Sequence, residues 1–289
     1  MYEPFYGFRE RPFELTPNPG YLYLTPQHRE ALSNLEFGLA ASRPITVLIG
    51  EAGTGKSTLL HAAMTSDMCR RVTCIYLNNP TLTRAEFFEM LAWRFGLRAD
   101  PDRSKAGLLT ELESLLRARH VRQEITALVI DEAQALSDEL LEEIRLLSNI
   151  ETPTTKLLPV VLAGHRELGE RLNDPRLRQL KQRVALRCEL KGLNLSQTAA
   201  YIASRIRTAG GNPAHLFTRE AIGLIHEYSQ GVPRTISVMC DNALTSGFAL
   251  SRKPIDGQMV REVCRDFDLR PTAAAVFNAI PDRAPARPA

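Results

Sequence analysis

The sequence predicts an α/β protein with a five-stranded parallel sheet flanked by helices, followed by a small all-helical subdomain. Three observations carry this. Short apolar, β-branched runs alternate with amphipathic stretches between Ile45 and Leu190. A glycine-rich string, Gly50-Glu51-Ala52-Gly53-Thr54-Gly55-Lys56-Ser57, joins the first run to the first of these stretches. After Leu190 the apolar runs stop and helical periods continue alone. Strands apolar on both faces, alternating with helices, are the pattern of a parallel sheet covered on each side.

Taken in order, residues 1–42 read as a leader plus a first helix packing on the core. Phe5, Tyr6, Phe8, Phe13, Tyr21 and Tyr23 fall among Pro4, Pro12, Pro17 and Pro19 without period. Prolines oppose a helix and the aromatics require burial, so an extended segment clamped onto the following domain is expected. Residues 43–190 form the α/β core. Its strands are expected at 45–49, 72–77, 126–130, 159–163 and 184–190, the last alternating enough to be an edge. Helices are expected at 56–66, 84–95, 105–120 and 137–148. Residues 191–270 form the helical subdomain, with a helix over 196–208, one capped by Thr218, one with Pro233 in its first turn and one capped by Asp256. Residues 271–289, rich in Pro, Ala and Arg, read as a flexible tail.

Composition bounds the function. With 289 residues, 44% hydrophobic and 24% charged, the chain builds a sizeable core and is no fibre, disordered chain or disulfide-dense miniprotein. Its net charge of +3 is too small to point to nucleic acid by itself. The 5 cysteines form no C-x-x-C pair, as expected of reduced thiols, and the 6 histidines stand at no metal-ligand spacing. No apolar run approaches the roughly 18 residues that span a bilayer. No basic stretch followed by an apolar one opens the chain, so a soluble, cytoplasmic protein is expected.

The glycine-rich string matches G-x-x-x-x-G-K-[ST]. Glycines bring backbone N–H groups close to a phosphate, and the helix N-terminus adds partial positive charge. Lys56 would reach the β- and γ-phosphates and the Ser57 hydroxyl would ligate Mg²⁺, with Thr58 next in the helix. A surface glycine turn is the plainer alternative. The run Ala127-Leu128-Val129-Ile130 ends in Asp131 and Glu132. Beside a phosphate loop, the aspartate suits the metal shell and the glutamate an attacking water; a helix cap is the alternative. His165 follows the fourth strand, where a side chain could meet the γ-phosphate or lie in solvent. Arg183, or Arg178 before it, could reach a neighbouring subunit's phosphate or belong to a solvated face. Basic residues crowd the stretch from Arg166 to Arg187, whereas Asp138, Glu139, Glu142 and Glu143 crowd the stretch after Asp131. Two such patches suit head-to-tail assembly. Gly231-Val232-Pro233-Arg234 places an arginine at the start of a helix, either to sense phosphate or as a plain turn.

With these residues the chain resembles the AAA+ ATPases, P-loop NTPases with a helical lid. Among them it is similar to the secretion group typified by ExeA and GspA, and to pilus and exopolysaccharide ATPases. The resemblance runs from Tyr6 to Leu269. It includes Pro12-Phe-Glu-Leu-Thr-Pro-Asn-Pro19, His28-Arg-Glu-Ala-Leu32, Asp131-Glu-Ala-Gln134, Leu162-Ala-Gly-His165, Gln182-Arg183 and Gly231-Val-Pro-Arg234. It implies that the loop from Gly50 to Thr58 binds ATP, that Ser57 and Asp131 hold Mg²⁺, and that Lys56 and Glu132 serve hydrolysis. It implies Arg183 as arginine finger and Arg234 as second sensor; His165 stands where the first sensor is usually a neutral polar residue. It further implies a homo-oligomer, ring or filament, with the finger supplied in trans, and a protein partner in an envelope assembly. Membrane-anchored relatives continue into a transmembrane helix, so an envelope role here is expected to need a membrane partner, placing the protein peripherally at the inner membrane. The same module also resembles the TniB and TnsC ATPases of transposition, which implies a DNA-binding switch as the alternative.

Overall fold

Six consecutive buried residues, Ile45–Gly50, form β1, and a strand buried along its whole length belongs in the middle of a sheet covered on both faces. The structure, a computed structural model, describes residues 1–15, 19–78, 81–97 and 104–267; the expected tail at 271–289 and Thr16 to Asn18 of the leader lie outside the described residues. The other strands are β2 (Val72–Leu77), β3 (Ile125–Ile130), β4 (Val160–Gly164) and β5 (Val184–Leu190), and the sheet order is β2-β3-β4-β1-β5. All pairings are parallel. The edge strand β5 alternates in exposure, as its sequence suggests.

The helices, in chain order, are α1 (Glu3–Tyr6), α2 (Pro26–Ala40), α3 (Lys56–Met64), α4 (Arg84–Phe95), α5 (Lys105–Val121), α6 (Asp138–Leu147), α7 (Arg166–Arg171), α8 (Arg178–Lys181), α9 (Leu195–Thr208), α10 (Arg219–Ser229), α11 (Pro233–Ala249) and α12 (Gly257–Asp266). The twofold alternation of a strand sorts the core into two layers. Ile45, Val47 and Ile49 pack with Leu128, Ile130 and Leu162 against α4, α5 and α6 through Phe87, Leu116 and Ile144. Leu48, Val129, Val161 and Ala163 face α2 and α3 through Leu35, Leu39, Leu59 and Leu60.

The described residues form two compact units, one within Leu24–Lys191 and a second that joins those of Met1–Tyr23 to those from Gly192 to Phe267. α2 goes with the α/β unit and the leader with the helical one. Tyr2, Tyr6, Phe8 and Phe13 are buried in the same core as Ile202, Ile225, Met239 and Val260. Tyr2 bonds Asp241, and the Tyr6 hydroxyl donates to the Leu244 carbonyl at 3.0 Å. Arg205 of α9 donates to the carbonyls of Pro12 at 2.6 Å and Glu14 at 2.9 Å. The leader also departs from the extended form, because Pro4 sits in the first turn of α1. There its missing N–H would have no intrahelical partner anyway.

Candidate functional site

β1 delivers the chain to the glycine-rich loop, which turns through left-handed glycines at Gly53 (φ 79°) and Gly55 (φ 100°) before α3 starts at Lys56. Thr54 closes the loop: its hydroxyl donates to the Glu51 carbonyl at 2.8 Å. A Cβ on Gly50 would lie 2.7 Å from that hydroxyl oxygen, so the close approach requires glycine. α2 braces the loop from outside. His28, 5% exposed, donates from Nε2 to the Thr54 carbonyl at 3.3 Å while Nδ1 accepts from the Thr25 hydroxyl at 2.6 Å. Burial holds this imidazole below its ordinary pKa, consistent with a neutral ring.

Lys56 is buried, and its ammonium donates to the carbonyls of Gly50 at 2.9 Å and Glu51 at 3.1 Å. Desolvation lowers its pKa, opposed by the charges of Glu132, Asp131 and Glu51. A cation confined in this way gains most from an added anion, since attraction grows as water is removed.

The sheet order sets β4 beside β1 and β3 beside β4, so their C-terminal ends converge on the loop. Asp131, buried at the end of β3, accepts from the Ser57 hydroxyl at 2.6 Å and from the Tyr76 hydroxyl at 3.0 Å, both on Oδ2. Its other oxygen accepts from the Glu132 N–H at 2.9 Å. Burial first, and then the Asp131 charge, raises the Tyr76 phenol well above its usual pKa and keeps it a donor.

Glu132 adopts a left-handed backbone, φ 54°, a conformation that costs a non-glycine residue roughly 1–2 kcal/mol. The turn brings its carboxylate to Gln134, whose amide donates at 2.6 Å. The amide oxygen of Gln134 accepts from the His165 N–H at 3.0 Å, and His165 Nε2 lies 3.5 Å from Glu132. Gly164 leaves the room for this link, since a Cβ there would come within 2.8 Å of the Gln134 oxygen. Arg171 fixes the same turn by donating to the carbonyls of Gln134 and Leu136 at 2.8 and 2.7 Å. Sequence reasoning missed Gln134, Tyr76 and His28 as site residues. The string Asp131-Glu-Ala-Gln134 carried a signal only for the first of them.

Other expected residues lie elsewhere. Arg183 precedes β5, whose Val184 pairs with Ile45 at the opposite end of β1 from the loop. Roughly 17 Å of strand separates it from the loop of its own chain, beyond the reach of an arginine side chain. Its charge, after Lys156, helps hold Glu151 below its ordinary pKa. Arg178 is exposed in α8, and Arg234 is exposed in the first turn of α11, in the helical unit. Gly231 ahead of it has φ 73°, and a Cβ there would strike the Leu193 carbonyl oxygen.

The two opposite patches need correcting. Glu143 is buried and held by Arg84 and Lys105, and Glu142 pairs with Arg145. Asp138 takes Arg171 at 2.6 Å and Arg176 at 3.2 Å. Within the chain, Asp138 is thus the acid that meets the basic stretch, while Glu142 and Glu143 are taken by Arg145, Arg84 and Lys105.

The donor chemistry fits nucleotide and Mg²⁺. The first turn of a helix has N–H groups without intrahelical partners, aimed at the loop. A hydroxyl and a carboxylate that meet at 2.6 Å are the sparse oxygen set of an ion that keeps water and phosphate as its other ligands. Among the described residues no group of three or more His, Cys, Asp or Glu could cage a metal.

Fold and site together are those of AAA+ P-loop proteins. The family model described as AAA domain matches residues 40–172. Of individual proteins, general secretion pathway protein A of Aeromonas hydrophila is 37% identical over 260 residues, which is 90% of this chain and 47% of that protein. The chain thus spans about half the length of the curated relative it matches. Among solved structures, Cdc6p from Pyrobaculum aerophilum is 18% identical with a TM-score of 0.69, over 93% of this chain and 74% of that one. The ORC2 protein of Aeropyrum pernix, in ADPNP–ADP complexes, is 16% identical with a TM-score of 0.64, over 94% and 74%. At such identities the likeness establishes the fold alone. Among the described residues no helix is long and apolar enough to cross a membrane.

Proposed function

We propose that the chain binds ATP with Mg²⁺ at the loop from Gly50 to Thr58 and couples its hydrolysis to assembly or remodelling of an envelope complex. The observation that carries the chemical part is the meeting of the Ser57 hydroxyl and the Asp131 carboxylate at 2.6 Å, beside a buried Lys56. Held there by Ser57 and Asp131, Mg²⁺ would supply charge neutralisation to the phosphates. Lys56 turns from its two loop carbonyls to the phosphates, and Ser57 and Asp131 hold the ion. Glu132 orients the attacking water and accepts its proton, with Gln134 and His165 holding that carboxylate in place. Arg183 reaches the site of a neighbouring subunit, and Arg234 reports the bound nucleotide to the helical subdomain.

The envelope part rests on the 37% identity to a protein named for general secretion. In this reading the partner is a membrane protein and the ATPase is peripheral at the inner membrane. Turnover of ATP with and without Mg²⁺ tests the chemistry. Lys56→Ala should remove binding or turnover, and loss of neither would overturn the assignment of the loop.

A further inference from the structure

At the end of the sheet opposite the glycine-rich loop, two segments enter β2 and β3 side by side, pinned by the Ile125 N–H donating to the Arg71 carbonyl at 3.1 Å. Between them opens a groove of about 580 Å³ lined by Arg70, Arg71, Thr73, Arg122, Gln123 and Glu124. Among the described residues, none of the three guanidinium groups has a hydrogen bond or an ion pair, and all three side chains are exposed. The groove is flanked in sequence by two large apolar side chains left in solvent, Met68 at 58% and Val121 at 81% exposure. Unpaired arginines are suited to phosphate, which they grip with two parallel N–H donors. Exposed methionine and valine cost free energy in water unless a partner covers them.

We infer that this groove is a docking surface for an anionic phospholipid bilayer. Arg70, Arg71 and Arg122 take lipid phosphates, with Thr73 and Gln123 as further donors, while Met68 and Val121 enter the boundary between headgroups and acyl chains. Glu124 offsets one of the three charges, so attraction depends on a surface rich in negative headgroups. A nucleic-acid strand would use the same arginines, but among the described residues no aromatic ring lines the groove to stack on a base. The apolar pair has no role on a duplex backbone. The surface stands independently of the nucleotide site, from which it is separated by the length of β2 and β3.

Flotation of the full-length chain with vesicles of phosphatidylcholine, alone and mixed with phosphatidylglycerol, tests this. The wild type should float only with the mixed vesicles and less at high salt. Each basic residue near an anionic surface contributes about fivefold, so Arg70→Glu, Arg71→Glu and Arg122→Glu together should weaken binding roughly 10²-fold or more. Val121→Ser should weaken it with charge unchanged. All variants should keep wild-type ATP turnover, which shows that they fold. Two results would overturn the assignment. One is equal flotation of wild type and triple variant. The other is arginine-dependent capture of duplex DNA, insensitive to Val121→Ser and without flotation, which would make the groove a nucleic-acid surface.

Discussion

Glu132 is held by two neighbours, and the difference between them is measurable. Gln134 fixes one carboxylate oxygen at 2.6 Å, whereas His165 stands off at 3.5 Å. Glu132→Gln keeps the metal-binding pair Ser57 and Asp131, so ATP affinity should persist while turnover falls by about 10²–10⁴-fold, the usual worth of a general base. Filter binding beside a phosphate-release assay separates the two; wild-type turnover would remove Glu132 from the role. Gln134→Ala should lower turnover with little change in ATP affinity, and Gln134→Asn should recover part of it. His28 supplies a pH test. Above its ordinary 6.5 the ring is neutral in folded and unfolded chains alike. As pH falls below that value the unfolded chain takes up the proton first, so stability is lost until the depressed folded-state pKa is passed. His226 is shifted the same way by burial. Thermal melting between about pH 7 and pH 5 should show this fall, and His28→Asn should flatten part of it; an unchanged slope would contradict a buried neutral ring. Lys56, Ser57, Asp131 and Glu132 are legible in sequence because each directly follows an apolar run or the glycine string. Gln134 shows only through the string Asp131-Glu-Ala-Gln134, and Tyr76 does not show at all, because Asp131 is brought to it by strand pairing and a polar residue near a strand end carries no period.

Helix α11 depends on the turn that precedes it. Gly231 needs both its left-handed φ and its missing Cβ, because the Leu193 carbonyl occupies that space and the Leu193 N–H donates to the Gly231 carbonyl at 2.8 Å. Gly231→Ala should therefore cost at least ~2 kcal/mol in a denaturant titration. Arg234→Ala, three residues on and exposed, should fall within about 0.5 kcal/mol of wild type. A similar loss in both would contradict this account of the turn. Caps and periods make such elements readable in advance. Asn194 with Gln197, Thr218 and Asp256 cap α9, α10 and α12, as their residue types suggest. Two features escape that logic. α1 accepts Pro4 at the one place in a helix where proline is harmless. The leader's seat among α9, α11 and α12 rests on pairs such as Tyr2 with Asp241 and Arg205 with Pro12, some two hundred residues apart, which no local pattern records.

At the scale of the whole molecule, the role proposed for Arg183 sets how the site would be completed. The β1–β5 register places it roughly 17 Å along the strand from its own loop, and Arg171 is committed to the carbonyls of Gln134 and Leu136 and to Asp138. The guanidinium of the same chain that lies against the loop is Arg166, paired with Glu51 at 2.8 Å; in the proposed function the finger for the γ-phosphate is Arg183 of a second copy. A finger supplied in trans is worth roughly 10³–10⁵ in rate in the well-studied GTPases, so specific activity should rise with protein concentration. Asp138, Glu142 and Glu143 are paired within the chain, which weakens the acidic stretch as a feature that would hold copies together. Mixing two variants tests this most directly. Lys56→Ala has a dead loop and an intact finger; Arg183→Ala has the reverse. Each should be nearly inactive alone with ATP affinity kept in the Arg183 variant. Combined in mixed oligomers, they should regain a measurable fraction of wild-type turnover, because one interface in the mixture joins an intact Lys56 to an intact Arg183. Mixed oligomers as inactive as their components would contradict a site completed by Arg183 of a neighbouring subunit.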